Sequence, residues 1–165
     1  SRADDDLAFN SGAAYVYLAA PPPAVYCTAK INSCATVPAI AFTGTSSASS
    51  SAGFVLSCSN TAGRRAGLLL YSDEGRDAAP FNGGLLCVRT QSLRRAIPLK
   101  DTQGTLGACD GRLELEMNAF AAGVFFGDPA PSLRTAGTRI TCQFWGRDRT
   151  ANGLLSDALE YYVGL

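Results

Sequence analysis

Leu113-Glu114-Leu115-Glu116-Met117 alternates apolar and acidic residues without a break. In an extended chain successive side chains point to opposite faces, so this stretch makes a strand with one dry and one wet side. Outward from it, strand-like runs recur at short spacing, each bounded by Gly, Pro, Ser or Asn. The sequence predicts strands at Ala13–Leu18, Val25–Lys30, Ala39–Thr43, Gly53–Ser59 and Gly67–Ser72. It predicts further strands at Gly84–Arg89, Arg94–Leu99, Arg112–Met117, Thr138–Trp145 and Ala158–Val163. Many short strands separated by turn residues are the pattern of a sandwich or barrel. The helical template fails almost everywhere. Phe120–Phe126, apolar on all sides, fits either a buried strand or one short helix. Ser156-Asp157-Ala158 suits a helical turn, but Tyr161-Tyr162-Val163 favours a closing strand.

The totals are those of one globular domain: 165 residues, 47% hydrophobic and only 17% charged. Lys+Arg and Asp+Glu are both 14, which removes any global electrostatic case for nucleic acid or an anionic membrane as partner. No apolar run is long enough for a transmembrane segment. A chain that opens at Ser1, with no signal-peptide pattern, reads as a processed product or a piece of something longer.

Six cysteines with no histidine and no C-x-x-C point to disulfides rather than structural zinc, and hence to an extracellular or cell-surface location. Six cysteines allow 15 pairings. The spacings suggest Cys27–Cys34 as a tight local loop and Cys87–Cys109 around a polar excursion. That leaves Cys58–Cys142 to join an early strand to a late one. The expected fold is therefore an all-β, disulfide-stapled antiparallel β-sandwich with an extended N-terminal arm.

Composition shifts once, at Pro21-Pro22-Pro23, which makes a stiff linker that donates no backbone hydrogen bonds. Residues 1–20 form the arm and residues 24–165 the body. Thr43–Ser51 is nearly all Ser, Thr, Gly and Ala and reads as a surface hairpin loop, with O-glycosylation as the functional alternative; no Asn-x-Ser/Thr sequon occurs.

Enzyme chemistry finds little to stand on. Without histidine the Ser-His-Asp and Cys-His arrangements are impossible. Lys30 and Lys100 are the only lysines, and neither sits in a Ser-x-x-Lys motif. Glu114 and Glu116 share one strand face at about 7 Å, within the range of glycosidase pairs, but a solvated outer face explains them better. Asp4-Asp5-Asp6 is the one candidate for Ca²⁺, and it lacks the EF-hand pattern. Trp145 and Arg147, with Tyr161, make a candidate glycan platform in which an aromatic ring stacks on a pyranose; the competing reading puts Trp145 in the core.

Several segments resemble a domain found near the C-terminus of large secreted bacterial proteins of unassigned function. They include Tyr26-Cys27-Thr28-Ala29-Lys30, Gly67-Leu68-Leu69-Leu70-Tyr71-Ser72 and Pro80-Phe81-Asn82-Gly83-Gly84-Leu85-Leu86-Cys87-Val88. Gln143-Phe144-Trp145-Gly146-Arg147-Asp148 and Ser156-Asp157-Ala158-Leu159-Glu160-Tyr161 complete the likeness. In that resemblance Cys27, Cys34, Cys87 and Cys109 occupy usual cysteine positions, while Cys58 and Cys142 are additions, which suits a third bond between them. The arm, with Asp4-Asp5-Asp6-Leu7 and Asn10-Ser11-Gly12-Ala13-Ala14-Tyr15-Val16-Tyr17, resembles the end of an FG-GAP (integrin α-type) propeller repeat. Only the last strand of a blade is represented, and a blade needs about four.

That strand must pair somewhere. Ala13, Tyr15 and Tyr17 point one way and Ala14, Val16 and Leu18 the other, so both faces want cover. Its partner is its own body, a propeller outside this chain, or the next copy of the body, reached by strand addition. A head-to-tail contact of the last kind does not close and generates a filament. The sequence thus leads to a secreted bacterial structural subunit that self-associates. The alternative is a surface adhesion module that recognises a glycan or a partner protein.

Overall fold

The computed structural model describes residues 20–149 and 153–165. The described chain forms ten strands, one short helix and one 3-10 turn, Pro131–Arg134. The strands are β1 (Ala24–Tyr26), β2 (Ala39–Gly44), β3 (Phe54–Thr61), β4 (Ala66–Ser72) and β5 (Arg76–Phe81). They continue with β6 (Gly84–Val88), β7 (Arg94–Asp101), β8 (Gly111–Glu116), β9 (Arg139–Gly146) and β10 (Leu154–Tyr162). Every pair is antiparallel. A five-stranded sheet, β1-β10-β9-β4-β7, faces a three-stranded sheet, β2-β3-β8. The expected all-β sandwich is what forms.

The alternation that defined β8 does what it promised. Leu113 and Leu115 are buried: beside Leu56 of their own sheet, they join Leu69, Phe144 and Tyr161 of the opposite sheet in one continuous core. Each such large side chain contributes roughly 1.5–3 kcal/mol by leaving water. Glu114 and Glu116 sit on the wetter face, and neither is spare. Glu114 pairs with Arg112 at 2.7 Å. Glu116 accepts from Phe54 N at 2.6 Å and from Ala119 N, and so caps the helix α1 (Met117–Ala121). The helix stops at Gly123, whose φ of 73° no L-residue adopts cheaply. The segment 120–126 is therefore the end of a helix followed by an exposed tip, with Val124 and Phe126 in solvent.

The outer face of the five-stranded sheet carries a third layer, the β5–β6 hairpin. Gln143, fully buried on that face, bolts it down: its amide donates to Leu85 O and Ser156 O and accepts from Cys87 N. Tyr26 adds a hydroxyl donated to Cys87 O at 2.6 Å. Arg76 reaches back from the hairpin, forked onto Glu160 and lying 4.4 Å over the Tyr26 ring.

This layer overturns the expected cysteine pairing. Cys27, at the end of β1, lies beneath the hairpin and bonds Cys87 of β6, with the Cα atoms 6.3 Å apart. Cys34 is turned away from Cys27 by a tight loop in which its N–H, like that of Thr36, donates to Asn32 Oδ1; it bonds Cys109, Cα–Cα 5.8 Å. Neither Cys27–Cys34 nor Cys87–Cys109 forms. Cys58 and Cys142 do not bond either: both are free and buried. Each packs as a small apolar side chain, Cys58 between Ile40 and Leu113 across its ladders and Cys142 between Tyr71 and Leu159.

The other departure is β5, a strand where the sequence showed none. β10 also begins earlier than expected, at Leu154, so that Ser156-Asp157 is a bulge in a strand and no helical turn.

Candidate functional site

Two surface features bear on function. The first lies where β9 ends. Gly146-Arg147-Asp148-Arg149, the hairpin tip and Gly153 enclose a cleft of about 470 Å³. Asn82 stands at its wall because the hairpin turns on Asn82-Gly83, with φ of 47° and 73°, the left-handed pair that a two-residue turn needs. Lys30 Nζ ties this tip to the start of β10, donating to Asn82 O at 2.7 Å and Gly153 O at 3.3 Å. Asp148 accepts from the N–H and hydroxyl of Ser33 and from Arg149 N. Burial works against its charge, but these bonds and nearby Lys30 outweigh burial and hold its carboxyl below the usual range. Arg149 is committed too, donating to Gly107 O.

Trp145 and Arg147 do come together here. Trp145 is neither a core residue nor a free platform: it is half-buried on the outer face of the sheet, against Leu68, Leu70 and Leu86. Its indole N–H is buried with no acceptor among the described residues. The third predicted contact, Tyr161, is elsewhere. It lies on the inner face of β10 opposite Ile140, 2% exposed, with its ring edge-on to Phe54 at 4.9 Å, so it touches no ligand at the surface. Its neighbour Tyr162 takes the outer face. The residue missed in its place is Asn82, whose Asn-Gly pair is itself a hairpin signal.

The second feature is a seam. Pro21, Pro22, Pro23, Phe42, Tyr162 and Gly164 are among the residues lining a mostly apolar groove of about 400 Å³ between β10 and β2. Gly164 N donates to Ser46 O and Gly164 O accepts from Ala48 N, while Val163 N donates to Thr138 O. Even-numbered residues of this strand therefore aim their backbone away from β9, and Tyr162 aims its own into the groove. β1, whose ladder ends at Ala24 opposite Glu160, stops short of it. On β2, Thr45 N donates to Gly53 O, facing β3, whereas Ile40 N donates to Asp157 Oδ1, facing β10. By the same alternation Phe42 faces the groove. No ladder joins β2 to β10, and among the described residues no partner is seen across the groove for the backbone of Phe42 or Tyr162. Gly44, at φ 80°, lets the strand end here: a Cβ would lie 1.8 Å from Gly53 O.

The expected self-association strand Ala13, Ala14, Tyr15, Val16, Tyr17, Leu18 and the acidic run Asp4, Asp5, Asp6 lie outside the described residues. No group of three or more His, Cys, Asp or Glu suited to a metal ion occurs among the described residues. No helix there is long and apolar enough to cross a membrane. Compared with known proteins, the chain matches no family model, no curated protein and no solved structure.

Proposed function

We propose that the chain is a structural, non-enzymatic subunit of an extracellular or cell-surface assembly, in which Ala13–Leu18 of one copy pairs at the seam of the next. The observation that carries this reading is the groove between β10 and β2. Two backbone edges face it, its lining is mostly apolar, and Pro21–Pro23 form part of that lining. An extended segment, apolar on both faces, is the occupant such a slot suits. Pro21 biases Ala20 toward extended backbone, and Ala19-Ala20 offers no Gly or Asn for a tight reversal. These residues favour an arm that runs on to a neighbour over one that doubles back onto its own groove. Head-to-tail donation repeated from copy to copy makes a filament. Two disulfides suit an oxidising compartment. The proposed kinship is with the C-terminal domains of large secreted bacterial proteins.

Electron microscopy and sedimentation of the full chain, beside a chain that begins at Pro21, test this. Regular filaments from the full chain and monomers from the shortened one are expected. Monomers from both, or filaments from both, would refute it.

A second reading is favoured by the cleft at Trp145 and Arg147: a surface-binding module whose ligand is a glycan. The cleft stands apart from the seam and is not occupied by it.

A further inference from the structure

We infer that the cleft beside Trp145 selects sugars that carry a carboxylate, uronic acids and their oligomers, an inference that rests on the binding-module reading. Three cations border the cleft, Lys30, Arg147 and Arg149, against the single carboxylate of Asp148. That carboxylate is already taken by Ser33 and Arg149 N. Among the described residues the Arg147 guanidinium and the Asn82 carboxamide have no partner of their own. Gly153 forms the meeting point: a Cβ placed on it would lie 3.1 Å from Gly146 O, 3.5 Å from Trp145 Nε1 and 3.9 Å from Asn82 Nδ2. Indole and carboxamide thus converge on one spot beside an open guanidinium.

Each group answers a different part of one ligand. A guanidinium matches a carboxylate with two parallel hydrogen bonds, a geometry no hydroxyl reproduces. A carboxamide both donates and accepts, as a sugar hydroxyl does. The indole, half-buried against Leu68, Leu70 and Leu86, brings its N–H edge to the cleft and gives the pyranose an apolar border rather than a stacking face. A volume of about 470 Å³ falls within the range of small-molecule clefts. A neutral sugar would leave the guanidinium without a counter-charge, and a bare phosphate would leave the indole unused.

Trp145 is the only tryptophan of the chain, so tryptophan fluorescence reports on the surroundings of this one indole, and the Arg147 and Asn82 variants assign a response to the cleft. The probes are galacturonate, trigalacturonate, maltotriose and inorganic phosphate, each titrated to about 10 mM. A saturable change with both acidic sugars is expected, with maltotriose weaker by about tenfold or more. Arg147→Ala should weaken trigalacturonate by about tenfold or more, since a charge-assisted pair is lost. Asn82→Asp, which keeps a residue tolerant of positive φ, should weaken it as well by setting a second carboxylate against the ligand. Unchanged near-UV circular dichroism in both variants shows that the fold is kept. Equal affinity for maltotriose overturns the charge selection while leaving a glycan site in place. Displacement of the trimer by phosphate as readily as by galacturonate overturns sugar recognition. No response to any sugar overturns both the inference and the reading beneath it.

Discussion

Replacing Gln143 with Leu tests whether one buried amide holds the outer hairpin to the sheet. The two side chains differ little in volume, so the change removes hydrogen bonds without opening a large cavity. Three backbone groups lose their partner: Leu85 O at 3.0 Å, Ser156 O at 2.6 Å and Cys87 N at 2.9 Å. Cys87 and Ser156 are fully buried, and neither finds water when the amide goes. An unmade bond at a buried backbone group costs about 1–3 kcal/mol. With Leu85 only half-buried, the sum is about 3–5 kcal/mol. For a domain of this size that lowers Tm by on the order of 10 °C. Urea unfolding followed by far-UV circular dichroism reads the loss directly, with the slope m unchanged. A loss below about 1 kcal/mol would mean that the Cys27–Cys87 bond and Tyr26 hold the hairpin without the amide, and the assignment of Gln143 as its bolt would be wrong. The hairpin tip carries Asn82, so the same variant should also shift Trp145 emission in the folded state.

Three other outcomes are expected. Cys58 and Cys142 are buried thiols, the first pushed up to about 12 by burial and by the charge of Asp157, the second raised further by burial alone. Native protein should therefore resist iodoacetamide, and denatured, unreduced protein should gain two labels; a native label on either would contradict the packing. Peptide mapping without reduction should recover Cys27–Cys87 and Cys34–Cys109, and Cys34→Ala with Cys109→Ala should cost about 4–5 kcal/mol in the chain-entropy account of a 75-residue loop. Asp157 is held above the usual carboxylate range by burial, against the opposing bond from Ile40 N. Its contribution is full below the unfolded value and lost as pH rises through the folded one. Asp157→Asn keeps an oxygen acceptor and removes that loss, so it should stabilise at pH 7 and be neutral near pH 3; destabilisation at pH 7 in urea unfolding would reverse the sign.

What could be read in advance divides along a physical line. Strands with one wet and one dry face, or with two dry faces, announce themselves through side chains alone, and β2, β3, β4, β8 and β9 were legible for that reason. β5 was not. Arg76-Asp77-Ala78-Ala79-Pro80-Phe81 has no β-branched residue and buries almost nothing, so its place in the sheet comes from pairing with β6 and from the Asn82-Gly83 turn. That turn was the available signal. The cysteines show the same limit. Six positions say that staples exist, but which sulfurs meet depends on a third layer stacked over β1, which no spacing encodes. Likewise, alternation says that Tyr161 and Tyr162 face opposite ways, and only the register against Ile140 says that Tyr161 is the one inside.

The two proposed roles are compatible because of where β10 begins and ends. The cleft sits at its first residues, beside Gly153 and Leu154, and the seam at its last, beside Tyr162 and Gly164. Nine residues at about 3.3 Å each separate them by nearly 30 Å. Between them β10 is paired with β9, and at Ala158–Glu160 with β1 as well, and it shares the core with the opposite sheet, so a segment seated at the seam neither covers the cleft nor displaces Arg147. A copy engaged by its neighbour would still present the cleft. Repeated along a filament, that geometry turns one weak sugar contact per copy into many held at fixed spacing, and avidity then exceeds any single affinity without a new contact.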